Sequence, residues 1–182
     1  PRIAFGHGMA ITPIALARAY CAIANGGLLM RPRILSQILR SDGHVVYSYG
    51  SQIERRAISA KTARTLRSFL RAVVTHGTGH PTAEVEGYTT AGKTGTAQIP
   101  GSGQYVSGQY VASFVGYIPA ERPKYVILVK VERPQGAIYG SVIAAPAFAQ
   151  IARIAMLHSG VMPSPAAVSP RSVKHEAATK KR

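Results

Sequence analysis

The stretch GYTTAGKTGTAQ, Gly87 to Gln98, decides how the chain around it folds. It satisfies two motifs at once. Gly87-x-x-x-x-Gly92-Lys93-Thr94 has the spacing of a phosphate-cradling loop, in which a glycine-rich turn leads from a buried strand into a helix. Lys93-Thr94-Gly95 is also the lysine motif of serine acyltransferases. The first reading starts a helix at Lys93; the second runs a strand through it.

The flanks favour the strand. A phosphate loop needs an apolar strand before it and a helix after it, so that the helix N-terminus faces the phosphates. The preceding segment, His80 to Glu86, holds two acids and one large apolar residue, and Gly101 and Gly103 prevent a helix after Gly95. A magnesium-binding aspartate is also required, yet the only Asp, Asp42, lies in a turn-forming Ser41-Asp42-Gly43. A strand over Tyr88 to Ile99 meets none of these objections. On it, the Lys93 ammonium supplies a fixed positive charge beside a nucleophile and attracts a substrate carboxylate. Thr94 and Thr96 offer hydroxyls to the same carboxylate. Gly95 leaves room for another backbone to approach. An edge strand of this kind pairs with an extended peptide and aims a backbone N–H at an oxyanion.

Outward from this strand, turn residues and periodicity place the other elements. Thr12-Pro13 opens a first helix, Thr12 suited to the N-cap and Pro13 to the first helical position. Ile14, Leu16, Ala17, Tyr20, Ile23 and Ala24 give it apolar character, and Asn25-Gly26-Gly27 ends it. Residues 28–39 are expected to be extended, interrupted by Pro32, with a β-rich stretch over Val45 to Tyr49 after the Asp42 turn. A second helix starts at Ser59, with Leu66, Phe69, Leu70, Val73 and Val74 on its apolar face and Arg64, Arg67 and Arg71 on a solvated one. It ends at His76-Gly77-Thr78-Gly79, and Pro81 prevents a restart. After the lysine strand come a loop over Pro100 to Gln109 and two apolar strands, Tyr110 to Ile118 and Tyr125 to Val131, joined as a hairpin. A third helix is expected from Ala144 or Pro146 to His158, with Phe148, Ile151, Ile154 and Ala155 on its apolar side. Hairpin-length connections make neighbouring strands antiparallel, so the fold class is α+β, an antiparallel sheet flanked by helices.

The length of 182 residues suits one domain. Segment 1–162 carries the ordered elements, and 163–182 reads as a disordered basic tail. Lys and Arg number 22 against seven Asp and Glu, for a net charge of +15. Removing the last twelve residues takes away five positive charges and one negative, leaving +11, so the body is basic too. That balance fits a solvated basic surface, or an anionic partner such as membrane headgroups, an acidic glycan-peptide polymer or nucleic acid. No RNA-binding motif, zinc pattern or recognition helix supports the last, so no nucleic-acid partner is expected. No apolar run reaches bilayer-spanning length, and no signal peptide is read. The single cysteine, Cys21, excludes an internal disulfide and reads as a small buried residue. His76 and His80 have ligand-like spacing, but Gly77 and Gly79 break the helix that would align them; neither a metal nor a cofactor is expected.

The segment AGKTGTAQ, Ala91 to Gln98, resembles the third active-site motif of class B penicillin-binding proteins, the peptidoglycan D,D-transpeptidases. Other stretches are similar to the same family in the same order. GHGMAITPIALARAYCAIANGG, Gly6 to Gly27, resembles the helix and its entry after the second active-site motif. HGTGHPTAEVEGY, His76 to Tyr88, resembles the loop before the lysine strand. ASFVGYIPAERPKYVILVKVERP, Ala112 to Pro134, resembles the following two strands, and YGSVIAAPAFAQIA, Tyr139 to Ala152, the C-terminal helix. The likeness covers Phe5 to Val161 and is closer to division-type and sporulation-type members than to β-lactamases.

The resemblance implies a β-lactamase/transpeptidase-like fold and an active-site serine that attacks a D-Ala-D-Ala stem peptide, forms an acyl-enzyme and passes the acyl group to an amine of a neighbouring strand. β-Lactams mimic that substrate. Lys93 would provide electrostatics beside the serine. Thr94 and Thr96, flanking Gly95, would hold the carboxylate, and the Thr96 N–H would form half of the oxyanion hole. The resemblance also implies a parent anchored upstream at the extracytoplasmic face of the bacterial cytoplasmic membrane, working with cell-wall synthesis partners.

The family's Ser-x-x-Lys and Ser-x-Asn motifs do not occur in this sequence. Three residues before the lysines stand Ile58, Thr90, Glu121, Ile127, Arg171, Ala177 and Ala178, and the only asparagine, Asn25, has Ile23 two positions earlier. The expectation is therefore the C-terminal portion of a transpeptidase domain, incomplete at its N-terminal side. It would carry one wall of the site, be inactive alone, and have marginal stability from uncovered apolar surface. The alternative is a non-catalytic sensor module that binds β-lactam or muropeptide.

Overall fold

The computed structural model describes residues 9–101 and 105–163. The expected tail, apart from Pro163, lies outside them, as does part of the loop after Pro100. The main sheet has three antiparallel strands in the order β5-β6-β7: β5 Ala91–Pro100, β6 Tyr105–Ile118 and β7 Tyr125–Glu132. Lys93 pairs with Val115, Gly95 with Ser113 and Thr96 with Ala112. Strand β6 begins five residues before the expected Tyr110, where Tyr105 pairs with Pro100 across a register shift.

Two short ribbons precede the sheet. β2, Gln37–Leu39, and β3, Val45–Ser48, form the expected hairpin about the Asp42 turn. β1, Leu28–Met30, pairs with β4, Ile53–Arg56, a strand the sequence reading does not include. The segment Ile53-Glu54-Arg55-Arg56 looks like a solvated connection, but cross-strand partners make it a strand. The Arg18 guanidinium donates to the Glu54 carboxylate at 2.6 Å, and Arg56 donates to the Gly26 carbonyl at 2.8 Å.

Helix α1, Pro13–Ala24, has Thr12 at its N-cap, where the hydroxyl accepts from the Ala15 N–H; it closes through Asn25 and Gly26, whose φ of 78° is left-handed. Cys21 within it is half-buried and free. Helix α2, Ala60–Thr75, is capped by Ser59. Its expected faces need correction. Phe69 is 63% exposed, whereas Arg67 and Arg71 are half-buried. Arg67 donates to the Ala120 and Glu121 carbonyls at 2.7 and 2.8 Å, and Arg71 to the Thr90 carbonyl at 2.8 Å. A guanidinium is long enough to lay its stem on the apolar face and satisfy loop carbonyls with its head.

Helix α3, Gly140–His158, starts earlier than Ala144 and runs through Pro146. Its buried side is Ala144, Ala145, Phe148, Ala152 and Met156; Ile151 and Ile154 of the expected apolar side are 48% and 67% exposed. Small residues on the inner face let the helix lie close to the sheet and turn its branched side chains out. At 19 residues it is long and apolar enough to cross a membrane by length and composition, contrary to the expectation that no segment is. In this fold it packs on β6 and β7. One core cluster joins Val74, Phe114 and Ile118 to Phe148 and Met156 of α3, with Phe114 and Phe148 rings 4.6 Å apart. A second, on the opposite sheet face, joins Ala91 and Tyr117 to Ala24 of α1 and Leu70 of α2. Burial on both faces fixes the register of β5 and so the facing of every residue around Lys93.

Candidate active site

Strand alternation puts Lys93 and Gly95 on one face of β5 and Thr94 and Thr96 on the other. Lys93 is exposed, and its ammonium turns back on the strand, donating to the Thr94 carbonyl at 3.0 Å and the Thr94 hydroxyl at 3.3 Å. No carboxylate among the described residues pairs with it. No helix begins at Lys93, which is the geometry a phosphate loop would need. Among the described residues β5 hydrogen-bonds to β6 alone, so it is an edge strand of the sheet they form.

The far end of the motif is fixed by α3. Tyr139, the N-cap of that helix, gives no side-chain acceptor; instead the Gly140 N–H donates to the Thr96 hydroxyl oxygen at 3.2 Å. A hydroxyl that accepts there keeps its own proton available for an incoming acceptor. The backbone that approaches Gly95 is that of Gly140: a Cβ on Gly140 would lie 2.5 Å from the Gly95 carbonyl oxygen and 2.3 Å from that of Ser113. On the other face a Cβ on Gly95 would lie 2.5 Å from Ser113 Oγ. Gly95 therefore meets the Gly140 backbone on one face, while on the other a Cβ would have to turn only the Ser113 hydroxyl aside.

One further residue belongs to this constellation and was not singled out from the sequence. Thr78, in the turn after α2, places its hydroxyl 2.7 Å from that of Thr94. Thr89, at the entry to β5, is tied to the β6–β7 connection: its hydroxyl donates to the Glu121 carboxylate and accepts from the Ala120 N–H. Only the third dimension brings Thr78 to the strand, although its glycine-flanked position was visible as a helix stop. His76 and His80 do not converge: His76 Nδ1 lies 2.7 Å from the Thr75 hydroxyl and His80 Nδ1 3.3 Å from the Glu84 carboxylate.

Farther along the strand, on the Lys93 face, opens a cleft of about 540 Å³ lined by Ala97, Ser113, Val111, Leu128 and the α1 entry residues Met9 and Ile11. Its lining is mostly apolar. Described residues thus supply a cation, three hydroxyls and an edge strand, but no serine–lysine pair of the expected spacing. A cation and hydroxyls so grouped can hold an anionic ligand such as a carboxylate.

A family model described as penicillin binding protein transpeptidase domain matches residues 2–153. The chain is 38% identical over 162 residues to stage V sporulation protein D of Bacillus subtilis, an overlap of 88% of this chain and 25% of that protein. It is 41% identical over 175 residues to penicillin-binding protein PbpB of Mycolicibacterium smegmatis, covering 88% of this chain and 26% of that one. Among solved structures, penicillin binding protein 3 from Mycobacterium tuberculosis, complexed with ampicillin, superposes with a TM-score of 0.75 at 39% identity, covering 91% of this chain and 38% of that chain. The chain thus spans about a quarter of the length of the curated relatives it matches.

Proposed function

The chain belongs to the penicillin-binding protein transpeptidase domain family, and from that premise we propose that it forms the lysine-strand wall of a serine D,D-transpeptidase that cross-links peptidoglycan and is acylated by β-lactams. The carrying observation is the Lys93-Thr94-Gly95-Thr96 edge strand, with the Lys93 ammonium folded back onto one end and Gly140 bonded to Thr96 at the other. The serine and its partner lysine come from a Ser-x-x-Lys segment of a longer parent, and the proton relay from a Ser-x-Asn segment. Residues 1–162 are the C-terminal portion of that domain, and 163–182 a basic tail outside it.

Each residue then has a chemical task. A stem peptide ending in D-Ala-D-Ala lies along β5 and pairs with its free edge. Its terminal carboxylate accepts from the Thr94 and Thr96 hydroxyls. The Lys93 ammonium lowers the energy of that anion and of the proton relay beside the serine. As the serine oxygen attacks the penultimate carbonyl, negative charge moves onto the carbonyl oxygen, and the Thr96 N–H supplies one of its two donors. The terminal D-Ala leaves with the serine's proton, and an amine from a neighbouring peptide takes the acyl group. A relative named as a peptidoglycan D,D-transpeptidase supports work in the bacterial cell envelope; in this reading the domain lies at the extracytoplasmic face, held by an upstream anchor.

Labelling kinetics of the full-length parent with a fluorescent penicillin test this. Wild type labels covalently, and Lys93→Ala lowers the second-order rate constant on the order of 100-fold, the scale of losing one electrostatic stabiliser. Unchanged kinetics would remove Lys93 from the mechanism. Labelling without any turnover of stem peptide would favour the sensor.

A further inference from the structure

We propose that Thr78 is a positioning residue that fixes the direction in which the Thr94 hydroxyl gives its proton, and so prepares the strand for a substrate carboxylate. This rests on the transpeptidase reading above. Thr78 Oγ1 lies 2.7 Å from Thr94 Oγ1, and Lys93 Nζ lies 3.3 Å from the same Thr94 oxygen. A hydroxyl oxygen accepts two hydrogen bonds and donates one, whereas an ammonium only donates. Lys93 therefore fills one acceptor position of Thr94. If the Thr78 hydroxyl fills the second, the Thr94 proton must point away from both and toward the substrate. A carboxylate accepts only, so its arrival selects this arrangement over the one in which Thr94 donates to Thr78.

Thr78 is held where the task requires it. The turn that carries it is bonded to the last turn of α2 on both sides: the Gly77 N–H donates to the Ala72 carbonyl at 3.1 Å and the Gly79 N–H to the Val73 carbonyl at 2.9 Å. The His80 N–H closes the turn on the Gly77 carbonyl at 3.0 Å. Helix α2 is itself tied to the entry of β5 through Arg71 and the Thr90 carbonyl. Thr78 and Lys93 are thus referenced to one strand. The hydroxyl, not the methyl, carries the role.

The test is a double-mutant cycle in the full-length parent, reading the second-order rate constant of fluorescent-penicillin labelling together with the melting temperature. Thr78→Val is expected to slow labelling about five- to ten-fold, the scale of one hydrogen bond. Thr78→Ser, which keeps the hydroxyl and loses the methyl, is expected to stay within about two-fold of wild type. In a Thr94→Val background, Thr78→Val is expected to add nothing. Labelling of Thr78→Val at the wild-type rate, equal slowing by Ser and Val, or full multiplication of the Thr78 and Thr94 effects would each overturn the proposal. A wild-type parent that does not label at all would instead refute the transpeptidase reading.

Discussion

Thr96 shows how much one side chain is asked to do. Its hydroxyl accepts from the Gly140 N–H, which anchors a helix, and its own proton stays available to a further acceptor. Lys93 and Thr94 were legible as a cation and a hydroxyl at fixed spacing; the Thr78 contact was not, because the turn and the strand meet only after α2 packs. A second residue-scale consequence concerns Tyr20. Burial, reinforced by the neighbouring Tyr117, pushes its phenol from 10.0 up to about 12, and burial also raises Tyr117, with Arg67 opposing. Above pH 10 the unfolded chain loses the Tyr20 proton while the folded one keeps it. The unfolded state then binds fewer protons, so stability falls with rising pH up to about pH 12. Denaturation midpoints followed across that range should fall less steeply for Tyr20→Phe than for wild type. Identical slopes would show that Tyr20 does not titrate differently in the two states.

The start of α3 explains why some elements could be read and others could not. α1 and α2 carry their own N-caps, Thr12 and Ser59, and both starts are visible locally. α3 borrows its acceptor from Thr96 in β5, so nothing near Gly140 marks a helix start and Pro146 looks like one. Its inner face is likewise set by contact with the sheet, which selects Ala144, Ala145 and Ala152 over the larger Ile151 and Ile154. The arginines of α2 follow the same logic: helical spacing shows that Arg67 and Arg71 share a side, but only the Thr90 and Ala120 carbonyls say what that side meets. From this packing, Gly140→Ala should be among the more damaging substitutions. Its Cβ would lie within 2.5 Å of two backbone oxygens, those of Ser113 and Gly95, which cannot move without separating β5 from β6. We expect a loss of about 3 kcal/mol or more in chemical denaturation of the full-length parent, together with slower penicillin labelling. Wild-type stability would show that α3 lies farther from the strand.

Across the whole molecule, the sheet is covered by helices on both faces near Ala91 and Phe114, and is open on the Lys93 face farther along. The β2–β3 hairpin adds exposed Ile38, Leu39, Val45, Val46 and Tyr47. Exposed apolar side chains grouped in this way mark a surface on which another element, chain or ligand packs. Purified alone, the chain should unfold over a broad range and bind an apolar-surface dye; a sharp cooperative transition without dye binding would count against this. The α+β class and the lysine strand were legible because caps, turns and an uncommon tetrapeptide are local signals. Ribbon β1–β4 was not, since its charged strand is defined by its partner. The central claim, that this chain is one wall of a penicillin-reactive site completed by segments outside it, is tested most directly by fluorescent-penicillin labelling of the purified 182-residue chain beside its full-length parent. The parent should label covalently and the chain alone should not. A labelled chain, or an unlabelled parent, would contradict the account.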